Sequence, residues 1–157
     1  MDADAATSLR QLVRKQRVTA LGTLREGAPL VSMTLYLAAD DFSAFHIHVS
    51  RLAWHTQDML RDPRIALSIA ETDDGREDPY TLMRVTLRGV AEQLSNSAPE
   101  HAQLKAAWLA RFPRQAIDFE LLDFGFWRLK PSDARFIQGY GRIHNLSGQE
   151  LVAAARS

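Results

Sequence analysis

The sequence predicts an α+β domain built on an antiparallel barrel of six or seven strands with flanking helices, and three observations carry that reading. The first strand-like segments follow one another through turns too short for a crossover helix, which disfavours a doubly wound parallel sheet. The longest strand candidate, Tyr80 to Leu94, is interrupted by Gly89, the kind of bulge or bend that closed sheets need. Helical patterns fall only between some of the strands. At 157 residues the chain reads as a single domain, residues 1–157, with enough length for a real core.

Taken in order, Thr7 or Ser8 opens a short helix whose stripe is Leu9, Leu12 and Val13. Val18 to Leu24 alternates as a strand, Arg25-Glu26-Gly27 is a turn, and Pro29 to Leu37 is the hairpin partner. After a turn at Ala38 to Asp41, Phe45, Ile47 and Val49 alternate with His46 and His48 as a third strand. The pattern changes at Ser50: Leu52, His55 and Met59 recur at helical spacing until Asp62-Pro63 stops them. Ser50 is the expected N-cap. Arg64 to Glu71 is a mostly apolar strand, expected to be buried on both faces, and Thr72 to Pro79 an acidic mobile loop. In the next strand Met83, Val85, Leu87 and Ala91 take one face and Arg84, Thr86, Arg88 and Glu92 the other. Ser97 to Glu100 has the form of a capping box before a helix that turns Leu104, Ala107, Trp108 and Phe112 inward. Phe124 to Leu129 and Arg135 to Gly139 read as two last strands joined through Pro131. A glycine-flexed loop from Gly139 to His144 and a short tail from Ser147 follow.

Lys plus Arg and Asp plus Glu both number 19, a balance that argues against a dedicated nucleic-acid binder. With no cysteine, disulfides, thiolate metal sites and a cysteine nucleophile are excluded. No apolar run is long enough to cross a bilayer, and the polar first residues do not read as a secretory signal, so a cytoplasmic location is expected.

The strand-to-helix corner of Phe45–Pro63 gathers Ser50, Arg51, His55 and Thr56 at a helix start. Unpaired backbone N–H groups and the helix dipole there favour an anion such as phosphate. The dipole contributes only about 0.3–1 kcal/mol at an exposed site, so side chains must carry most of the binding.

The order and spacing of PLVSMTLYL, FHIHVSRLAWHTQDMLRDPRIALSI, MRVTLRGVAEQL and ARFIQGYGRIH resembles the FMN-binding split-barrel superfamily of the pyridoxamine-phosphate oxidases. It is most similar to the heme-utilisation branch, which shares the Ser-Arg-Leu-Ala-x-His-Thr segment and the Gly-aromatic-Gly-Arg loop. The resemblance implies a homodimer with two FMN molecules at the subunit interface. By that resemblance Ser32, Met33 and Thr34 line the isoalloxazine or ribityl path, and Val49, Ser50 and Arg51 end the third strand. His55 and Thr56 fall at phosphate contacts, and Arg84 meets the flavin ring; the chemistry agrees, since Arg51 and a protonated His55 would give charge-assisted bonds to a phosphate dianion. The sequence departs from the oxidases in having Ser32 where they carry arginine, Leu37 near their lysine, and Ile137 in place of a covering aromatic residue. Pyridoxamine-phosphate oxidation is therefore not expected.

Other residues invite bland readings beside sharper ones. His46 and His48 form a His-x-His pair with no obvious third metal ligand, and read as partly exposed strand residues. In the heme-utilisation branch a late histidine serves as axial iron ligand, which marks His144, while a lone loop histidine is otherwise surface. Trp54 and Trp127 suit ring stacking, or the core or a dimer interface. Arg142 suits a second anion contact, or solvent.

The leading expectation is an FMN-dependent oxidoreductase of unknown substrate, with Arg84 favouring reduced flavin. The alternatives are a heme-binding or heme-degrading protein using the same cleft, and a noncatalytic flavin binder. No catalytic acid or base is identifiable.

Overall fold

The computed structural model describes residues 1–156 and is α+β. Its elements are α1 (Ala3–Lys15), β1 (Val18–Arg25), β2 (Ala28–Leu35), β3 (Leu37–Ala38), β4 (Phe45–Ser50), α2 (Trp54–Arg61), β5 (Arg64–Ala70), β6 (Arg84–Gln93), α3 (His101–Arg111), β7 (Phe124–Gly139), β8 (Arg142–Ser147) and α4 (Gly148–Arg156). Two 3₁₀ turns, Pro79–Thr81 and Pro113–Glu120, flank β6 and α3. All strand pairings are antiparallel, in the order β2-β1-β5-β6-β7-β4-β3, with β8 added to β7. The run from Ala28 to Ala38 breaks at Tyr36 and so supplies both ends of that order, curling the sheet into a split barrel. Tyr36 is buried at the break and its hydroxyl donates to the Val13 carbonyl at 2.7 Å, tying the bend to α1.

The main core fills the barrel with Leu21, Phe45, Ile47, Leu67, Ile69, Val85, Leu87 and Phe136, closed by Leu9, Leu12 and Val13 of α1 and Leu151 of α4. A second cluster, Leu94, Trp108, Phe112 and Phe126, packs α3 against the other side of β4 and β7. Trp127 belongs to the main core, as one of its sequence readings had it.

The bend at Gly89 is borne out: the β6–β7 register shifts between Arg88 and Gly89, and a Cβ at Gly89 would lie 2.0 Å from the Lys130 carbonyl oxygen. Several boundaries move for local reasons. The first helix starts at Ala3, because the Asp2 carboxylate caps it by accepting from the Ala5 N–H at 2.8 Å. The second begins at Trp54 after an Ala53 N-cap, because Ser50 spends its hydroxyl elsewhere. β5 is buried on one face only, its outer face made of Ala66, Ser68 and Ala70. The third helix starts at His101 with no side-chain cap, and Ala107 faces solvent. Pro131 does not break β7, since it sits at the Gly89 irregularity. The glycine loop is a tight hairpin, with Gly141 at φ 78°, and the expected tail is strand β8 and helix α4. The true capping box is Ser147 to Glu150: the Ser147 N–H donates to Glu150 Oε2 at 2.7 Å and the Glu150 N–H to Ser147 Oγ at 3.2 Å.

Candidate functional site

The strand-to-helix corner does assemble polar residues, but most are already engaged. β4 delivers Val49 into the core and Ser50 to the barrel mouth. The Ser50 hydroxyl donates to the Asp123 carboxylate and accepts from the Leu52 N–H at 3.1 Å, while the Arg51 N–H donates to the Asp123 carbonyl at 2.8 Å. A carboxylate therefore stands within the corner proposed for an anion. Thr56 is 0% exposed and its hydroxyl donates to the Ser50 carbonyl at 2.7 Å, pinning α2 to β4. The Arg51 side chain is exposed and forms no ion pair with any described residue.

His55, one residue into α2, reaches β2: its Nδ1 lies 3.2 Å from Ser32 Oγ. Its Nε2 is buried and has no hydrogen-bond partner among the described residues. Burial holds the imidazole pKa below its ordinary 6.5 although nearby Asp58 pulls the other way, so the ring is neutral near pH 7. The protonated His55 expected from the sequence therefore runs against its burial, which Asp58 offsets only in part.

Beside it, buried Asp58 accepts from Thr23 Oγ1 and Arg25 Nη1, each at 2.9 Å. The Arg25 guanidinium lies over the Trp54 ring, 4.1 Å from its centroid. Nothing in the apolar periodicity marked Thr23, Arg25, Asp58 or Asp123. The helical spacing of Leu52, His55 and Met59 leaves Asp58 on the solvent side, yet it is 1% exposed because Thr23 and Arg25 hold its two oxygens.

Strand alternation divides the remaining residues. Ser32 and Thr34 point inward, the Thr34 hydroxyl buried without a partner among the described residues. Met33 points outward with Val31, onto an exposed sheet face that continues through Ala20, Gly22, Ala66 and Ser68. Arg84 lies on that outer face too, and its Nη1 donates to the Tyr80 and Leu82 carbonyls at 3.1 and 3.0 Å. Ile137 is its cross-strand neighbour. Met33 and Arg84 therefore cannot share a one-chain pocket with Ser32 and His55.

The loop residues resolve differently. Arg142 is not free for an anion: it pairs with Asp4 at 3.0 Å and Asp2 at 3.3 Å on α1. His144 stacks on Phe136 with centroids 6.0 Å apart, and its Nε2 is buried without a partner among the described residues. His48 is buried rather than partly exposed, stacked 4.1 Å from Phe119 and flanked by Phe126. No group of three or more His, Asp or Glu among the described residues is arranged to hold a metal ion. No described helix is long and apolar enough to cross a membrane.

Comparison with known proteins adds five findings. The family model described as "CREG, beta-barrel" matches residues 2–153. The non-canonical chloroplast heme oxygenase HOZ of Arabidopsis thaliana is 34% identical over 125 residues, which cover 79% of this chain and 36% of that protein. Heme oxygenase HutZ of Vibrio cholerae is 23% identical over 147 residues, 92% of this chain and 82% of its own. The structure of a heme binding protein from Mycobacterium smegmatis superposes with a TM-score of 0.83 at 31% identity, over 95% of this chain and 60% of that one. In fold alone, a general-stress-protein-26 relative of the pyridoxinephosphate oxidase family from Clostridium acetobutylicum matches with a TM-score of 0.71 at 16% identity, over 96% of this chain and 99% of that one. The chain spans about a third of the chloroplast relative and three fifths of the mycobacterial one.

Proposed function

Because the chain belongs to the CREG beta-barrel family, on the heme-utilisation side of the pyridoxamine-phosphate-oxidase-like superfamily, we propose that it binds heme as a dimer. The observation that carries the choice of heme over FMN is the chemistry of the corner. A phosphate dianion set beside Ser50 meets the Asp123 carboxylate, and the neighbouring imidazole is neutral. A neutral imidazole is poor at holding phosphate and suited to ligating iron. His144 and His55 each keep a buried Nε2 without a hydrogen-bond partner among the described residues, and His144 is the candidate axial donor. The Ser32 contact engages His55 Nδ1, so Nε2 is the ring nitrogen left without a partner among the described residues. Bound heme supplies the iron and the redox-active ring; the chain supplies the apolar surface and the nitrogen.

Dimerisation is supported by the outer sheet face, where exposed Val18, Val31 and Met33 border the small residues Ala20, Gly22 and Ala66. Such a flat apolar surface suits a second copy. Given an electron donor and dioxygen, we propose that the complex degrades its heme, the activity for which both curated relatives are named.

The second reading, an FMN-binding oxidoreductase, is favoured by Arg51, an exposed cation at the end of β4 without an ion pair among the described residues. Absorbance decides between them: a Soret band that saturates on hemin addition supports heme, and the bands of oxidised flavin in the purified protein support FMN. Loss of the Soret band with ascorbate in air tests degradation. Light scattering of the eluting protein tests the dimer.

A further inference from the structure

We propose that Trp54 is a preformed stacking platform for the flat face of the ligand's ring system, with Arg25 as the residue that positions it. This rests on the heme reading for the identity of the ring. Trp54 occupies the variable place in the Ser-Arg-Leu-Ala-x-His-Thr segment, so the resemblance assigns it nothing. Large indoles are ordinarily buried, yet this one is 60% exposed at the first position of α2, whereas Trp108 and Trp127 are buried. The Arg25 guanidinium covers its ring 4.1 Å from the centroid, and no other aromatic ring stacks on it among the described residues.

The support beneath it runs back to the barrel wall. Arg25 Nη1 is held 2.9 Å from Asp58 Oδ1, and Asp58, 1% exposed, is held through its other oxygen by Thr23 Oγ1 at 2.9 Å. Each link fixes the next, so the indole loses little freedom when a second ring lies on it. The turn just before it carries exposed Leu52, which adds apolar area, and Arg51, a cation without an ion pair among the described residues. Together they suit a planar aromatic ligand that is apolar on its face and anionic at its edge. A porphyrin with its two carboxylates has that character, and so has a flavin mononucleotide.

The test is titration of the full chain with hemin, and separately with FMN, for the wild type, Trp54→Leu and Trp54→Phe. Stacked pairs add enough to predict that Trp54→Leu weakens hemin about three- to tenfold, while Trp54→Phe stays within about twofold. Equal affinity in Trp54→Leu overturns the platform and leaves heme binding intact. Binding of FMN alone, weakened by Trp54→Leu, overturns the heme reading and keeps the platform. Binding of neither ligand overturns both. A second measurement does not depend on a variant's folding. In protein labelled with 5-fluorotryptophan, diamagnetic zinc protoporphyrin is expected to move the Trp54 fluorine resonance through its ring current, and to move Trp108 and Trp127 far less. An unmoved Trp54 resonance at saturation overturns the proposal.

Discussion

Ser32 Oγ lies 3.2 Å from His55 Nδ1, and this contact joins the middle of β2 to the first turn of α2. Because burial lowers the His55 pKa, the folded state prefers the neutral ring. The prediction is an imidazole midpoint below 6.5 in an NMR titration, together with stability that declines as pH falls from 6.5 toward that midpoint. A midpoint at or above 6.5 contradicts a neutral His55 and revives it as a phosphate contact.

His48 gives the larger pH effect. Its ring is caged by Phe119, Phe124, Phe126 and Trp108, and burial, helped by His101 and Lys105, lowers its pKa to about 4. The unfolded chain binds the proton more readily, so stability is full above pH 6.5 and falls away between 6.5 and about 4. Its Nδ1 is buried without a partner among the described residues. His48→Phe is therefore expected to flatten this acid limb and raise the melting temperature at pH 5. An unchanged pH dependence of melting in that variant contradicts the assignment.

Gly89→Ala is expected to cost more than about 2 kcal/mol in urea unfolding, well above an exposed strand substitution. The added methyl would sit 2.0 Å from the Lys130 carbonyl oxygen and 2.8 Å from its carbon, both backbone atoms that cannot swing away. A cost below about 0.5 kcal/mol would mean that the bulge is soft.

Asp58→Ala leaves the half-buried Arg25 without its partner, and is expected to cost about 2–3 kcal/mol, with Asp58→Asn costing less because it keeps the Thr23 bond. The same variant frees Arg25 from beneath Trp54, so hemin affinity should fall with stability. Hemin affinity unchanged in Asp58→Ala contradicts the support assigned to that pair.

Much of the barrel was legible because it rests on period-two patterns: the alternation of β1 and β6, and Gly89 marking a bulge against β7. What was misread depended on hydrogen-bond competition that composition does not reveal. Ser50 looks like an N-cap, yet Asp123, far along the chain, claims its hydroxyl. Ser97 to Glu100 has the capping-box form but Ser147 to Glu150 makes the bonds. Of the candidate site, the resemblance assigned Ser32 to the ring path and His55 to the phosphate, and only the structure brings the two into contact at 3.2 Å. The sequence could not reveal that Met33 and Arg84 share the opposite face, because face assignment needs the register. Arg142 was readable as an anion contact only while its partners Asp2 and Asp4, more than a hundred residues earlier, were out of sight.

Titration of the purified chain with hemin, followed at the Soret band alongside His144→Ala, tests the central claim most directly. The account predicts a saturable Soret band for the wild type and a shifted or weakened one for the variant. A protein that emerges carrying flavin and gives no saturable Soret band contradicts it.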